Sequence, residues 1–147
     1  MTDDTTDRIG LIERYYREVL EGGNLSLMDE MTANDYVNHE DAPILGQPAG
    51  KEGALHFVKA LRTAFPDVHV KAMGPVLSGD NMEAGHVVLA GTHNGEISGI
   101  KPTGRSVEFD ATDIVRVENG QVAEHWGTTD HLRLMRQLGV VALRRGT

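Results

Sequence analysis

The first half of the chain carries apolar residues at helical spacing in three segments. The pattern predicts an amphipathic helix over 7–20, a shorter helix over 25–31 that Asn24 caps, and a third helix over 51–65. Pro66 ends the third helix, because proline lacks a backbone N–H and clashes with the preceding turn. The first half is therefore expected to be mainly helical.

The second half changes to alternating apolar and polar residues separated by glycine-containing turns. The predicted strands cover 67–77, 82–93, 106–118 and 121–129, after a short extended segment at 35–40. A last short helix follows Asp130, which can cap it. Helices followed by a meander of strands indicate an α+β fold with the helices packed on one face of a curved sheet, a shape that can enclose a pocket.

Alternation along residues 106–118 places one carboxylate on an apolar face. Side chains alternate faces along a strand, so Asp113 shares a face with the apolar side chains Phe109 and Val115. The turn Asn119–Gly120 is the strongest hairpin signal in the chain, and it fixes the pairing of the two strands that it joins. A regular pairing predicts that Val115 lies opposite Glu124.

The same pairing places Asp113 opposite Trp126, so that Glu124 and Trp126 share the inner face with it. His125 then lies on the outer face. The alternative is a β-bulge after Ala123. It would turn His125 to the inner face and its neighbours Glu124 and Trp126 to the outer face.

A carboxylate on an apolar face costs several kcal/mol unless it is paired or protonated, which is how acid/base groups are tuned. Asp113, Glu124 and His125 are therefore the candidate catalytic residues. The alternative is that Glu124 reaches solvent near a sheet edge and that Asp113 only accepts hydrogen bonds.

Other polar and aromatic residues are candidates for binding a ligand. In "YVNHED", Asn38 and His39, together with Glu40, can orient a ligand at the mouth of a pocket, although loop hydrogen bonds explain them as well. His93 in "THNG" can point into the pocket, but a polar turn explains it equally well. Tyr16 can contact a ligand or can simply be a core residue. The substrate-binding candidates are Asn38, His39, Trp126, Tyr16, His93 and Phe109.

Composition limits the possible partners. The 147 residues predict a single domain over 1–147, and the 39% hydrophobic and 24% charged residues are ordinary for a soluble fold. The chain has 14 basic and 22 acidic residues, which give a net charge of -8. Its lysines and arginines form no continuous basic surface pattern that would bind phosphates, so nucleic acid is not an expected partner. No apolar run suits a membrane span and the acidic start suits no secretory signal, so a cytoplasmic location is expected.

Motifs for bound groups are missing as well. The chain has no cysteine, no HExxH-like pair of metal ligands, and no glycine-rich dinucleotide or phosphate loop. We therefore expect neither a metal site nor a cofactor.

The order of three segments resembles the SnoaL-like polyketide cyclases. These segments are "RYYREVLEGGNLSLMDEMTANDYVNHE", "GTHNGEISGIKPTGRSVEF" and "DIVRVENGQVAEHWGTTDHLRLMRQLG", and the resemblance extends over nearly the whole chain. This family belongs to the superfamily named for nuclear transport factor two. The resemblance implies a cone-shaped α+β barrel, usually a homodimer, with a deep apolar pocket between the sheet and the helices. Together with the pattern along the chain, it predicts a strongly curved antiparallel or mixed sheet, three N-terminal helices packed over the pocket, and a short C-terminal helix.

The resemblance also implies a reaction. The characterised cyclases close a ring by a cofactor-free intramolecular aldol reaction, with an acid/base carboxylate on the last strand, a histidine on the strand before it, and an asparagine near the first strand. Asn38 matches this asparagine. The histidine position falls on Asp113 and the carboxylate position on Gly127, so neither main catalytic side chain is present as such.

These implications give one leading function and two alternatives. The leading expectation is cyclase- or isomerase-type acid/base chemistry on a hydrophobic, polycyclic or carbonyl-bearing small molecule, with Asp113 as the base. Asn38, His39 or His125 would stabilise the developing oxyanion. The alternatives are a ring hydroxylase that needs a redox partner and a non-catalytic dimeric ligand-binding protein.

Overall fold

The structure, a computed structural model, describes residues 10–142. The helices are α1 (Leu11–Arg14), which continues into a π-helical segment (Tyr15–Glu21), α2 (Leu25–Met31), α3 (Gly50–Ala64) and α4 (His131–Gln137). The strands are β1 (Thr32–Asn38), β2 (His69–Gly79), β3 (Met82–Thr92), β4 (Ser106–Glu118) and β5 (Gln121–Thr129).

The five strands form one mixed sheet in the order β1-β5-β4-β3-β2. The first strand runs parallel to β5, and the other neighbouring strands are antiparallel. This arrangement confirms the predicted α+β fold, and the parallel pair makes the sheet mixed and not purely antiparallel. The edge strands β1 and β2 do not pair with each other, so within the described residues the sheet is open and not a closed barrel.

The hydrophobic core lies between the helices and the inner face of the sheet. Burial alternates strictly along β3 and along most of β4, which confirms the faces predicted from the sequence. From the helical side, Val19, Val58 and Phe65 are completely buried against this face.

The predicted N-terminal helix differs from the observed one in its geometry. Residues 7–9 of the prediction lie outside the described residues. The chain is α-helical at Leu11–Arg14 and π-helical at Tyr15–Glu21. π-Helical turns are rare and often occur at functional sites. Their presence at Tyr15 and Tyr16 therefore marks these two residues as candidates for the functional site.

A carboxylate from the sheet caps the start of α1. Glu83 on β3 is buried, and its oxygens accept the backbone N–H groups of Leu11 at 3.0 Å and Ile12 at 3.3 Å. The first N–H groups of a helix have no partner within the helix, and an acidic group near them also interacts favourably with the helix dipole. Glu83 therefore fastens the N-terminal helix to the sheet.

We expect Glu83→Gln to lower the free energy of unfolding by about 1–3 kcal/mol, because the amide places N–H groups against N–H donors. Urea denaturation measures this loss. The control is Glu96→Gln at an exposed loop position. Equal stability of the two variants would show that the Glu83 contacts contribute nothing.

Candidate functional site

The hairpin of β4 and β5 contains a β-bulge that decides which side chains reach the inner face. Val117 pairs with Val122, whereas Arg116 pairs with Glu124, so Ala123 is the extra residue. The predicted regular pairing was wrong, and the alternative bulge after Ala123 is confirmed. It places His125 opposite Val115 on the inner face.

The bulge also moves two predicted inner residues outward. Trp126 pairs with Ile114 instead of Asp113, and Gly127 takes the place opposite Asp113. Glu124 and Trp126 therefore lie on the outer face of the sheet, contrary to the prediction.

The inner face and the helices enclose a cavity of about 100 Å³, whose walls are mainly apolar. A second cavity of about 220 Å³ adjoins it behind Phe109 and Thr129. The polar side chains that line the first cavity are Tyr15, Tyr16, Thr32, Tyr36, Asn38, Glu40, Gln47, Asp113, His125 and Thr129.

Asp113, His125 and Asn38 form a continuous hydrogen-bonded chain in this cavity. The Nε2 atom of His125 lies 2.6 Å from Asp113 Oδ1, and its Nδ1 atom lies 2.8 Å from Asn38 Oδ1. Parallel pairing of β1 with β5 sets Asn38 beside His125, and antiparallel pairing of β4 with β5 brings Asp113 close. The structure thus brings together three residues that the sequence analysis named.

The hydrogen bonds define how many protons this chain holds. Asn38 Oδ1 accepts the backbone N–H of Glu40 at 3.0 Å, so it is an acceptor and Nδ1 of His125 must donate to it. The contact between His125 Nε2 and Asp113 Oδ1 then needs one further proton, carried by either atom. Asp113 and His125 therefore share a single proton as an imidazolium–carboxylate pair or as a neutral pair.

Tyr16 completes the surroundings of Asp113. Its hydroxyl donates to Asp113 Oδ2, and both side chains are buried. Burial, and then the charge of Asp113, raise the pKa of the Tyr16 phenol well above its usual value, so the hydroxyl remains protonated and donating. The predicted substrate-binding residue Tyr16 thus lines the cavity and also contacts the carboxylate.

Two further tyrosines line the cavity beside this pair. Burial, followed by the charge of Asp113, raises the pKa of both Tyr15 and Tyr36 well above the usual phenol range. Within the described part of the chain, neither hydroxyl has a hydrogen-bond partner, so both are available as donors to a ligand. Tyr36 was not among the predicted site residues, although it lies two positions before Asn38 on β1 and so shares its face.

Glu40 adds a second carboxyl group to the cavity. It is half-buried, and its Oε1 atom accepts a long hydrogen bond of 3.4 Å from the Thr129 hydroxyl. Burial raises the pKa of Glu40, an effect that the nearby His125 partly offsets. The sequence placed Glu40 at the mouth of the pocket without a catalytic role.

Gly127 provides the space that His125 occupies. A β-carbon at position 127 would lie 2.6 Å from Cε1 and 2.7 Å from Nε2 of the imidazole, and 2.9 Å from Glu40 Oε2. Real β-carbons essentially never approach other atoms this closely. The glycine is therefore required for the observed position of His125.

On the outer face, Glu124 forms a separate polar network. It accepts hydrogen bonds from Arg116 at 2.7 Å and from His39 at 2.8 Å, and His39 stacks on Trp126 with ring centroids 4.8 Å apart. The hydrogen bonds from His39 and then Arg116 lower the pKa of the Glu124 carboxyl below its usual value. Glu124, His39 and Trp126 do not line the cavity.

The two remaining predicted binding residues, Phe109 and His93, lie in the protein interior. Phe109 lines both cavities and is almost completely buried. His93 is buried too, but it packs beside Phe65 and its Nδ1 atom accepts the backbone N–H of Thr103 at 3.1 Å. His93 therefore anchors the 93–105 loop and does not line the first cavity.

None of the helices within 10–142 has the length and apolar character needed to span a bilayer. Over the same range, no three histidine, aspartate or glutamate side chains are arranged to hold a metal ion.

Comparison with known proteins agrees with this architecture. The family model described as SnoaL-like polyketide cyclase matches residues 10–138. Among characterised proteins, aklanonic acid methyl ester cyclase DauD of Streptomyces sp. (strain C5) is 26% identical over 133 residues, which span 90% of this chain and 81% of DauD.

Solved structures share the fold. IdmH of Streptomyces antibioticus, named as a polyketide cyclase, is 30% identical with a TM-score of 0.71 over 88% of this chain and 96% of IdmH. A Bacillus cereus protein that carries the same type of name is 26% identical with a TM-score of 0.74, over 89% of this chain and 79% of its own.

Proposed function

The chain belongs to the SnoaL-like polyketide cyclase family, and on this premise we propose that it catalyses proton transfer next to a carbonyl group of a hydrophobic substrate. The proposed reaction is of the cyclase type, an intramolecular aldol closure or a related isomerisation that needs no added cofactor. A fused-ring substrate suits the two adjoining apolar cavities, which share Phe57, Leu61 and Phe109 as walls.

The observation that carries the proposal is the 2.6 Å contact between Asp113 Oδ1 and His125 Nε2 inside an apolar cavity, a contact that holds one proton. Loss of this proton would leave two acceptors, Asp113 Oδ1 and His125 Nε2, facing each other at 2.6 Å. Gain of a second proton creates no such repulsion. With one proton between them, the pair can take a proton from the substrate without losing its internal hydrogen bond, as a catalytic base must.

Asp113 is the residue of the pair that accepts the proton. Both imidazole nitrogens of His125 are already engaged, by Asn38 and by Asp113, whereas each carboxylate oxygen keeps a free lone pair. His125 and Asn38 hold the carboxylate in position.

The oxygen of the substrate needs hydrogen-bond donors as the enolate forms. The hydroxyls of Tyr15 and Tyr36 line the cavity without a partner in the described residues, and their raised pKa values keep them protonated. We assign oxyanion stabilisation to these two hydroxyls instead of to His39, which lies on the outer face.

The proposal is tested by α-proton exchange. The intact chain is mixed with 2-tetralone in D₂O, and the loss of the signal from the protons next to the carbonyl is followed by proton NMR. We expect exchange about 10²-fold faster than in the buffer alone, the usual contribution of a positioned acid/base group.

The same experiment separates the alternatives. A ligand-binding protein, or a hydroxylase that needs a redox partner, would broaden the 2-tetralone signals on binding without accelerating exchange. Binding without exchange would therefore contradict the proposed proton transfer.

Glu124 provides an internal test of the face assignment. We expect Glu124→Gln to keep the exchange rate within about twofold, because its carboxylate faces away from the cavity and pairs with Arg116. The rate is measured with 2-tetralone as above. A loss of tenfold or more would show that the outer network participates in the reaction.

We also keep the homodimer as a proposal. The outer face of the sheet exposes Val37, Ile114 and Trp126, apolar side chains that a second copy can cover. Sedimentation equilibrium measures the mass in solution, and a purely monomeric protein would contradict this proposal.

A further inference from the structure

The cavity contains a second carboxyl group that the Asp113–His125 pair does not use. Glu40 follows β1, and its side chain lies against β5, where the Thr129 hydroxyl is 3.4 Å from Oε1. No lysine or arginine within 10–142 forms an ion pair with it, although the structure contains several such pairs on its surface. Burial without a cationic partner raises the pKa of the Glu40 carboxyl, so its neutral form persists to a higher pH than that of an exposed glutamate.

Glu40 and Asp113 both lie close to the imidazole of His125. His125 Nε2 contacts Asp113 Oδ1, and on the side of Gly127 the imidazole and Glu40 Oε2 both lie within 3.0 Å of the point where a β-carbon would stand. Glu40 and His125 form no direct hydrogen bond. The missing side chain at Gly127 thus leaves the carboxyl of Glu40 facing the cavity beside the base.

We propose that Glu40 is the catalytic acid that works with Asp113, a role that rests on the proposed function. The protonated Glu40 carboxyl donates its proton to the carbonyl oxygen while the Asp113–His125 pair removes a proton from the adjacent carbon, so that the ketone becomes an enol. When the enol carbon attacks a second carbonyl group of the substrate, the proton on the enol oxygen returns to Glu40. The Asp113–His125 pair gives its proton to the new alkoxide, which becomes a hydroxyl group, so both groups return to their starting states. In an isomerisation, the pair returns its proton to carbon.

The division of roles places the charges formed by the transfer next to each other. Before the transfer, Glu40 is neutral and the pair with its single proton is neutral overall. After the transfer, Glu40 is negative and the pair is positive, and the two groups lie side by side above Gly127. The charges that the transfer creates are opposite and adjacent, so their attraction offsets part of the cost of forming charge inside the cavity.

The pH dependence follows from the same environment. Burial raises the pKa of Glu40, so the acid stays protonated to a higher pH than an exposed glutamate would. The exchange rate should fall as the pH rises through this raised pKa. The ionisable groups that face Glu40 are Tyr15, Tyr16, Tyr36, Asp113, His125 and His131.

The test compares Glu40→Gln with Glu52→Gln, an equal substitution at an exposed position of α3. Exchange of 2-tetralone protons is measured across the pH range for both variants and for the unmodified chain. We expect Glu40→Gln to lower the rate about 10²-fold and to remove the decline at high pH, while Glu52→Gln matches the unmodified chain. Glu40→Asp, which keeps an acid, should restore part of the rate.

The outcomes are distinguishable. If the unmodified chain exchanges protons and Asp113→Asn does not, but Glu40→Gln keeps the full rate and the same pH profile, the role of Glu40 is overturned and the proposed function stands. If the unmodified chain does not exchange protons, the proposed function fails and the role of Glu40 fails with it. A carboxyl-carbon NMR titration without substrate must also show Glu40 titrating above exposed glutamates, and an ordinary value would overturn the proposal.

Discussion

Replacement of Asp113 by asparagine is expected to lower the rate of α-proton exchange by about 10² to 10⁴-fold and to leave the protein folded. The amide has the shape of the carboxyl, so Tyr16 can still donate to its oxygen and its N–H group can donate to His125 Nε2. An amide does not accept a proton at neutral pH. The variant therefore keeps the hydrogen-bonded chain and loses the base.

The measurement uses exchange of 2-tetralone protons in D₂O, together with urea denaturation of the same samples. Asp35→Asn, at an exposed position of β1, is the matched control and should behave as the unmodified chain. If Asp113→Asn keeps more than half of the rate, another group is the base. If it loses the rate and most of its stability together, Asp113 acts mainly as a buried structural anchor.

The architecture was predictable because local signals decided it. Asn24 and Asp130 cap the helices that follow them, and the Asn119–Gly120 turn has the positive φ angles that this pair of residues adopts easily. Alternation of apolar and polar residues along β4 is enough to place Asp113 on the inner face. The 3.6-residue period of the helices and the two-residue period of β4 were therefore enough to predict these elements and the inward position of Asp113.

The bulge was predictable only as an alternative. The two-residue Asn119–Gly120 turn favours a regular hairpin, and the regular pairing places Trp126 on the inner face. The observed register instead buries Ala123 and gives His125 two polar partners, Asp113 and Asn38. Those partners come from β4 and β1, and a local pattern along β5 contains no information about them.

The position of Glu40 and the π-helical geometry of the first helix could not be predicted from local sequence patterns either. Glu40 reaches the site because β1 pairs in parallel with β5, a contact between segments about 85 positions apart for which the sequence has no local signal. The periodicity of the first helix indicated its buried face, but it did not distinguish an α-helical from a π-helical turn at Tyr15 and Tyr16.

Gly127→Ala tests the geometry of the site with the smallest possible change. A β-carbon at this position would lie 2.7 Å from His125 Nε2, so we expect the imidazole to shift from its hydrogen-bonded position against Asp113. We expect the exchange rate to fall by about 10²-fold or more, since the base loses the partner that holds it and shares its proton. Loss of this buried hydrogen bond should also cost about 1–3 kcal/mol of stability.

The control is Gly79→Ala, because a β-carbon there meets no atom within 4 Å. Nitrogen NMR of the labelled histidines follows Nε2 of His125 directly, and its resonance should shift in Gly127→Ala and remain unchanged in Gly79→Ala. An unchanged resonance together with an unchanged exchange rate would mean that the imidazole tolerates a side chain at position 127. A shifted resonance with full activity would mean that Asp113 removes the proton without His125, and the shared proton would then lose its role as the basis of the mechanism.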